Sequence, residues 1–163
     1  MTTLLKTKYI LGVAIALLGI VTSCDNRETY HEFQDVRDAS WSKRDSLRFD
    51  IDTASMLPGI AYDIHLEMVN NAKFPYQNLW LFVRSNLNGE KIFRQDTIQV
   101  RLADIYGKWL GSGFGSYYQT SILFRQRVVF SQKRKYRIQV IQGMRDEPLV
   151  GIEKVGLRIS RAE

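Results

Sequence analysis

From Ser46 onward, the apolar residues of this chain mostly recur at every second position, the period of a strand with one buried face. Leu47, Phe49 and Ile51 alternate with charged neighbours, Pro58-Gly59 interrupts the pattern, and Tyr62, Ile64, Leu66 and Met68 resume it. Asn70-Asn71 and Pro75 mark the next break. Leu79 to Val83 is then apolar on both faces, as in a central strand. Ile122, Phe124, Val128 and Phe130 alternate again, Ser131 to Lys135 forms a basic turn, and Tyr136, Ile138 and Val140 lead back. Ile152, Val155, Leu157 and Ile159 close the pattern, with an irregularity near Glu153. Ala103 to Tyr106 has room for one helical turn, and no amphipathic helix emerges. Short strands with frequent turns predict an all-β fold, an antiparallel β-sandwich of about seven to eight strands.

Asn88-Gly89 is the strongest short turn signal, because a type I′ hairpin needs positive φ at both central residues. A direct hairpin there sets Leu81 against Asp96 and Leu79 against Ile98, with Arg94 and Asp96 on the face of Leu81 and Val83. Either a bulge re-aims the strand or the hairpin tip projects beyond the core.

The first residues are different in kind. Lys6 and Lys8 precede an apolar stretch, Tyr9 to Val21, broken only by two glycines. Val21-Thr22-Ser23 then places small residues before the single cysteine, Cys24. This is the layout of a secretory signal peptide. The stretch is too short to cross a bilayer, which takes about 17–25 residues. Val-Thr-Ser-Cys resembles the lipobox of bacterial lipoproteins, in which the cysteine thiol receives a diacylglycerol and the new amino terminus is acylated, with palmitate among the chains. Each buried methylene contributes about 0.8 kcal/mol, so two or three chains on Cys24 hold a domain durably. The expected organisation is a signal peptide over 1–23, a polar lipidated tether over 24–40 and a β-sandwich over 41–163.

Removal of 1–23 from the 163 residues leaves 140, enough for one domain with a self-sufficient core. The 23 basic residues fall to 21 against 17 acidic ones, a net charge of +4. That balance is too weak to argue for nucleic acid. With Cys24 lipidated, the domain has no thiol for a disulfide or a metal.

Catalytic constellations are thin. His65 falls on the polar side of its strand, and His31 lies in the tether. His31-Glu32 with Asp35 sketches a metal site, but a flexible tether preorganises ligands poorly. No Cys/His spacing suggests zinc, no carboxylate pair stands out, and no Gly-x-Ser-x-Gly elbow is present. No enzyme activity, cofactor or metal is expected.

The most unusual stretch runs from Gly107 to Gly115, with four glycines in nine residues around Trp109 and Phe114, and Tyr117 and Tyr118 just beyond. It lacks the dinucleotide-binding spacing. A long glycine- and aromatic-rich loop in a compact domain is functional or mobile. Trp109, Lys108, Phe114, Tyr117 and Tyr118 form the candidate binding surface; equally, Trp109 plugs an open end of the sandwich. Lys133-Arg134-Lys135, with Arg125, Arg127 and Arg137, is either a solvated turn or a contact for acidic head groups or glycans, each cation adding about 1 kcal/mol near an anionic membrane. Met144 to Leu149 reads as a polar turn with Met144 tucked in and Arg145 paired to a carboxylate.

These residues resemble the gliding-motility lipoprotein family GldH, known from Bacteroidetes. The resemblance is carried by Cys24 and Trp41, by Asn78-Leu79-Trp80-Leu81-Phe82 and Asp96-Thr97, and by Leu102-Ala103-Asp104 and Gly107-Lys108-Trp109-Leu110-Gly111-Ser112-Gly113. Met144-Arg145, Leu149, Gly151-Ile152 and Val155-Gly156-Leu157 complete it. It implies a non-enzymatic, outer-membrane-type lipoprotein that scaffolds the gliding apparatus and its associated secretion, facing either the periplasm or the cell surface. Its implied partners are the membrane, through the lipid, and other envelope lipoproteins or motility and secretion proteins. The alternative is a lipid-anchored glycan-binding module with Trp80, Trp109, Tyr117 and Tyr118 as stacking faces.

Overall fold

The computed structural model describes residues 28–89 and 93–163. The signal peptide, Cys24 and residues 90–92 lie outside the described residues. Among those described, the strands are β1 (Glu28–Asp35), β2 (Ser40–Trp41), β3 (Leu47–Ile51), β4 (Ala61–Asn71), β5 (Asn78–Ser85) and β6 (Arg94–Arg101). They continue with β7 (Ser112–Phe114), β8 (Tyr117–Val129), β9 (Tyr136–Gln142), β10 (Leu149–Val150) and β11 (Ile152–Arg161). One sheet has the order β1-β11-β4-β8-β7, the other β3-β9-β5-β6, and β10-β2 forms a two-stranded ribbon. All pairings are antiparallel.

The inner faces share one apolar cluster, to which the alternation contributes Phe49, Ile51, Tyr62, Ile64, Leu66, Met68, Leu79, Leu81, Val83, Ile138, Val140, Val155, Leu157 and Ile159, all fully buried. The expected β-sandwich is therefore what the chain forms. Its eight strands of five or more residues agree with the expected number; the additional β2, β7 and β10 have two or three residues each, too few to show a period.

The expected tether is corrected. Glu28–Asp35 is an edge strand paired along β11, from Glu28 opposite Ser160 to Asp35 opposite Lys154. Tyr30 packs against the core, and Phe33 lies opposite Gly156. A Cβ at Gly156 would meet the Phe33 ring at 2.6 Å, so the glycine leaves the space in which that ring sits. Tyr30 and Phe33 fall on opposite faces, which is why neither announces a strand.

The β5–β6 ladder is displaced by two residues from a direct Asn88-Gly89 hairpin: Leu81 faces Ile98, Leu79 faces Val100 and Val83 faces Asp96. An even displacement keeps every side chain on its own face. Asp96 thus stays on the inner side of an edge strand, where it pairs with Arg125 of β8 across the open flank of the sandwich. A longer connection resolves the conflict, with no bulge within the paired residues. Ala103 to Tyr106 forms a turn rather than a helix. Met144 is tucked in, its Sδ accepting from the Trp80 N–H at 3.3 Å. The turn after β9 is held by other means than an Arg145 ion pair: Gln142 donates to Asp146 O at 2.9 Å, Tyr76 Oη donates to the Asp146 carboxylate at 2.7 Å, and Ser42 Oγ donates to Glu147 at 2.6 Å.

Candidate binding surface at the glycine and aromatic loop

The connection between β6 and β7 is a small hydrogen-bonded hairpin rather than a slack loop. Leu102 and Ala103 both donate from their N–H groups to Gln77 O, at 2.8 and 3.0 Å. Leu110 N–H donates to Leu102 O and Asp104 N–H to Lys108 O, each at 2.9 Å, and Ala103 bridges Trp109. The Asp104 carboxylate caps the turn from inside, accepting from Tyr106 N–H at 2.8 Å and Lys108 N–H at 2.9 Å. Gly107 closes it at φ +82°, a backbone state open to glycine at little cost.

The remaining glycines serve close approach. A Cβ at Gly111 would lie 2.4 Å from Gln119 O, and one at Gly113 would lie 2.9 Å from the Tyr118 ring. Both glycines therefore let the chain lie directly on β8.

Trp109 is the brace behind this hairpin. Its ring lies 5.5 Å from that of Tyr118 and 6.4 Å from that of Phe74, which in turn meets Tyr76 at 5.9 Å. Trp109 is half-buried against the core, and Tyr118 beside it is half-buried as well. Lys108 and Tyr117 are exposed. The Phe114 side chain lies outside what is described. The four candidates whose side chains are described therefore divide: Trp109 and Tyr118 brace, while Lys108 and Tyr117 face solvent. Two residues absent from the expected set dominate the tip: Tyr106 is 88% exposed and Ile105 71%, with Leu110 at 53% beside them. Their only sequence signal is the placement of two large apolar side chains in a tight polar turn.

Two other constellations form around His31 and His65. Glu67 is only 3% exposed although it stands on the outer face of the five-stranded sheet. It accepts from Arg158 Nε at 2.9 Å, pairs with His31 Nε2 at 2.9 Å and accepts from Gln119 Nε2 at 3.2 Å. Burial pushes its pKa up, but the bonds from Arg158 and His31 outweigh burial and hold it below the usual glutamate value. His31 also meets Glu28 at 3.1 Å, while Asp35 pairs with Lys154 and Glu32 bonds Tyr30. The sketched metal triad is thus pulled apart. His65 is half-buried rather than exposed, and its Nδ1 has no partner among the described residues. Burial, and then the charge of Arg158, holds its pKa below the usual histidine value.

His65 lines a polar cleft of about 460 Å³ with Arg127, Arg158 and Arg161 balanced by Glu28, Asp63 and Glu163. Within the basic segment, Arg134 folds back over Tyr136 at 3.7 Å and donates to Asn86 O at 2.8 Å. Arg137 pairs with Asp50 at 2.5 Å, which leaves Lys133 and Lys135 as its exposed cations.

Fold and surface together define a β-sandwich domain that carries its most distinctive side chains on a braced end hairpin. The profile of the GldH lipoprotein family matches residues 28–159. The chain belongs to that family, in agreement with the resemblance read from its residues. It is 25% identical to a gliding motility lipoprotein GldH homolog of Christiangramia forsetii, over 98% of this chain and 99% of the relative. It is also 25% identical to the gliding motility lipoprotein GldH of Flavobacterium johnsoniae, over 93% of this chain and 96% of the relative. An alignment with the coat protein of tobacco streak virus covers 86% of this chain and 90% of that one, at 8% identity and a TM-score of 0.28.

Proposed function

We propose that this chain is a lipid-anchored, non-enzymatic lipoprotein of the outer membrane, held by acyl chains on Cys24, that assembles partners of the gliding and associated secretion apparatus. Family membership supports the lipoprotein and gliding parts of this reading. The observation that carries the partner-holding part is the β6–β7 hairpin. It presents Ile105, Tyr106 and Leu110 to solvent from a backbone held by its own hydrogen bonds and by Trp109. Rigid, exposed aromatic and aliphatic anchors are what protein interfaces concentrate, and preorganisation lowers the ordering cost of binding.

The test is a photo-crosslinking residue in place of Tyr106 in the full-length protein, activated in native membranes, with adducts identified by mass spectrometry. Capture of envelope lipoproteins or of motility or secretion proteins is the expected result. Adducts indistinguishable from those of the same probe at Lys154, on β11 and separated from β8 by β4 in the five-stranded sheet, would sink this reading.

A second reading has its own observation. Trp80 and Tyr76 line a shallow groove of about 290 Å³ with Asn78 and Arg145, a combination of stacking faces and polar groups suited to a sugar. Saturable quenching of tryptophan fluorescence by envelope or dietary polysaccharide, abolished by Trp80→Ala, is the outcome that would place glycan binding first.

A further inference from the structure

Only Asp25, Asn26 and Arg27 separate Cys24 from the first residue of β1. Four residue steps, fully extended, reach at most about 14 Å. Glu28 therefore stays close to whatever surface holds the cysteine.

The strand registers determine what shares its end of the sandwich. Glu28 pairs with Ser160, Arg161 with Tyr62, and Ala61 with Val129. The 52–60 connection enters β4 at this end, and the Ser131 to Lys135 turn leaves β8 here. Thr53 Oγ1 donates to Arg134 O at 3.4 Å, and Arg134 donates to Asn86 O at 2.8 Å, which gathers the loops of both sheets together. Leu57, Ile60, Lys133 and Lys135 are exposed at this end, beside the exposed Glu28 and Asp52. The β6–β7 hairpin lies at the other end, where Asn71 pairs with Tyr117 and Asn78 with Arg101. The eleven residues of β4 run between the two ends. At about 3.3 Å each, they span about 35 Å.

We propose that the domain stands on the bilayer by the end that carries Glu28. Leu57 and Ile60 meet the head-group region, Lys133 and Lys135 contact its anionic phosphates, and Ile105 and Tyr106 are held beyond the reach of that bilayer. Two features argue for an upright domain. The tether is less than half as long as the sandwich, and the end it emerges from joins exposed apolar side chains to exposed lysines, as membrane-contacting surfaces do. The partner surface is thereby aimed away from the membrane. This orientation rests on the reading of Cys24 as acylated.

The chain is convenient to test because Cys24 is its only cysteine. Once it is acylated, a single introduced thiol can be labelled without ambiguity. Full-length lipidated protein carrying Ile60→Cys or Tyr106→Cys is labelled with a fluorophore and reconstituted into phosphatidylethanolamine–phosphatidylglycerol vesicles containing a head-group nitroxide quencher. The orientation predicts several-fold stronger quenching at position 60 than at 106, and loss of that difference when Lys133→Glu and Lys135→Glu are added. Equal quenching at both positions means a domain lying flat and overturns the proposal, as does a difference that survives the two lysine changes. Intact mass and vesicle flotation are read on the same samples. Protein that is acylated and floats but shows no difference refutes the orientation alone, whereas protein without acyl chains refutes the anchor reading and the orientation with it.

Discussion

Truncation of Trp109 separates the brace from the surface. Removing a fully buried tryptophan costs about 3–5 kcal/mol. Trp109 is only half-buried, but it also loses tilted ring contacts at 5.5 and 6.4 Å to Tyr118 and Phe74. Aromatic pairs add about 0.5–1.5 kcal/mol beyond their buried area. Trp109→Ala is therefore expected to destabilise by about 2–3 kcal/mol. A domain spanning residues 28–163 unfolds with about 0.3 kcal/mol/K of entropy, so the melting temperature should fall by about 7–10 °C. Tyr106→Ala removes a side chain of similar character that touches little, and surface changes of this kind stay within about 0.5 kcal/mol. Both variants are measured by circular-dichroism melts and by partner capture from native membranes. Trp109→Ala should lose stability and capture together, whereas Tyr106→Ala should lose capture alone. A Trp109→Ala protein that melts within about 2 °C of the parent would refute the brace, since that shift corresponds to well under 1 kcal/mol.

Three further outcomes follow from particular contacts. Gly151 sits at φ +91°, and a Cβ there would lie 2.4 Å from Phe74 N, so Gly151→Ala should lower the urea midpoint by the equivalent of about 2 kcal/mol or more; an unchanged midpoint would contradict the packing of Phe74. Glu67→Gln removes the carboxylate to which Arg158 donates in a largely buried site and should cost about 1–3 kcal/mol, less than a fully buried pair because Arg158 is partly exposed. Because the folded-state pKa of Glu67 is depressed, its stabilisation is complete above the ordinary glutamate range and is lost as pH falls through the lower folded value. Urea midpoints of the parent should therefore decline on acidification more steeply than those of Glu67→Gln, and parallel curves would count against the cluster. Asp96→Asn breaks the pair with Arg125, but both side chains are more than a third exposed, so denaturation should reveal under about 1 kcal/mol.

The long inner strands were legible because burial on one face imposes a period of two. Ile64, Leu66 and Met68 announce β4 without help from any partner. β1 was not legible, for a physical reason. Its inward positions after Tyr30 are Glu32 and Gln34, which bond to each other rather than contribute apolar contacts. Its outward positions are His31 and Phe33, whose partners Glu67 and Gly156 lie 36 and 123 positions further along. A strand held by its backbone ladder and by distant polar partners carries no local hydrophobic period.

The end loop shows the same division between local and distant information. Its glycines and aromatics are conspicuous in sequence, but the face each aromatic presents depends on β8. Gly111 and Gly113 are small because Gln119 and Tyr118 lie against them, and this contact draws Trp109 onto the core and turns Ile105 and Tyr106 outward. Trp109, readable from sequence equally as a binding surface and as a plug, packs as part of the support, and the most exposed apolar side chains of the tip are two that followed no pattern. A hairpin stiffened from behind in this way presents the same apolar tip whether or not a partner is bound. Affinity at such a surface should respond to the chemistry of Ile105 and Tyr106 and only indirectly, through rigidity, to Trp109.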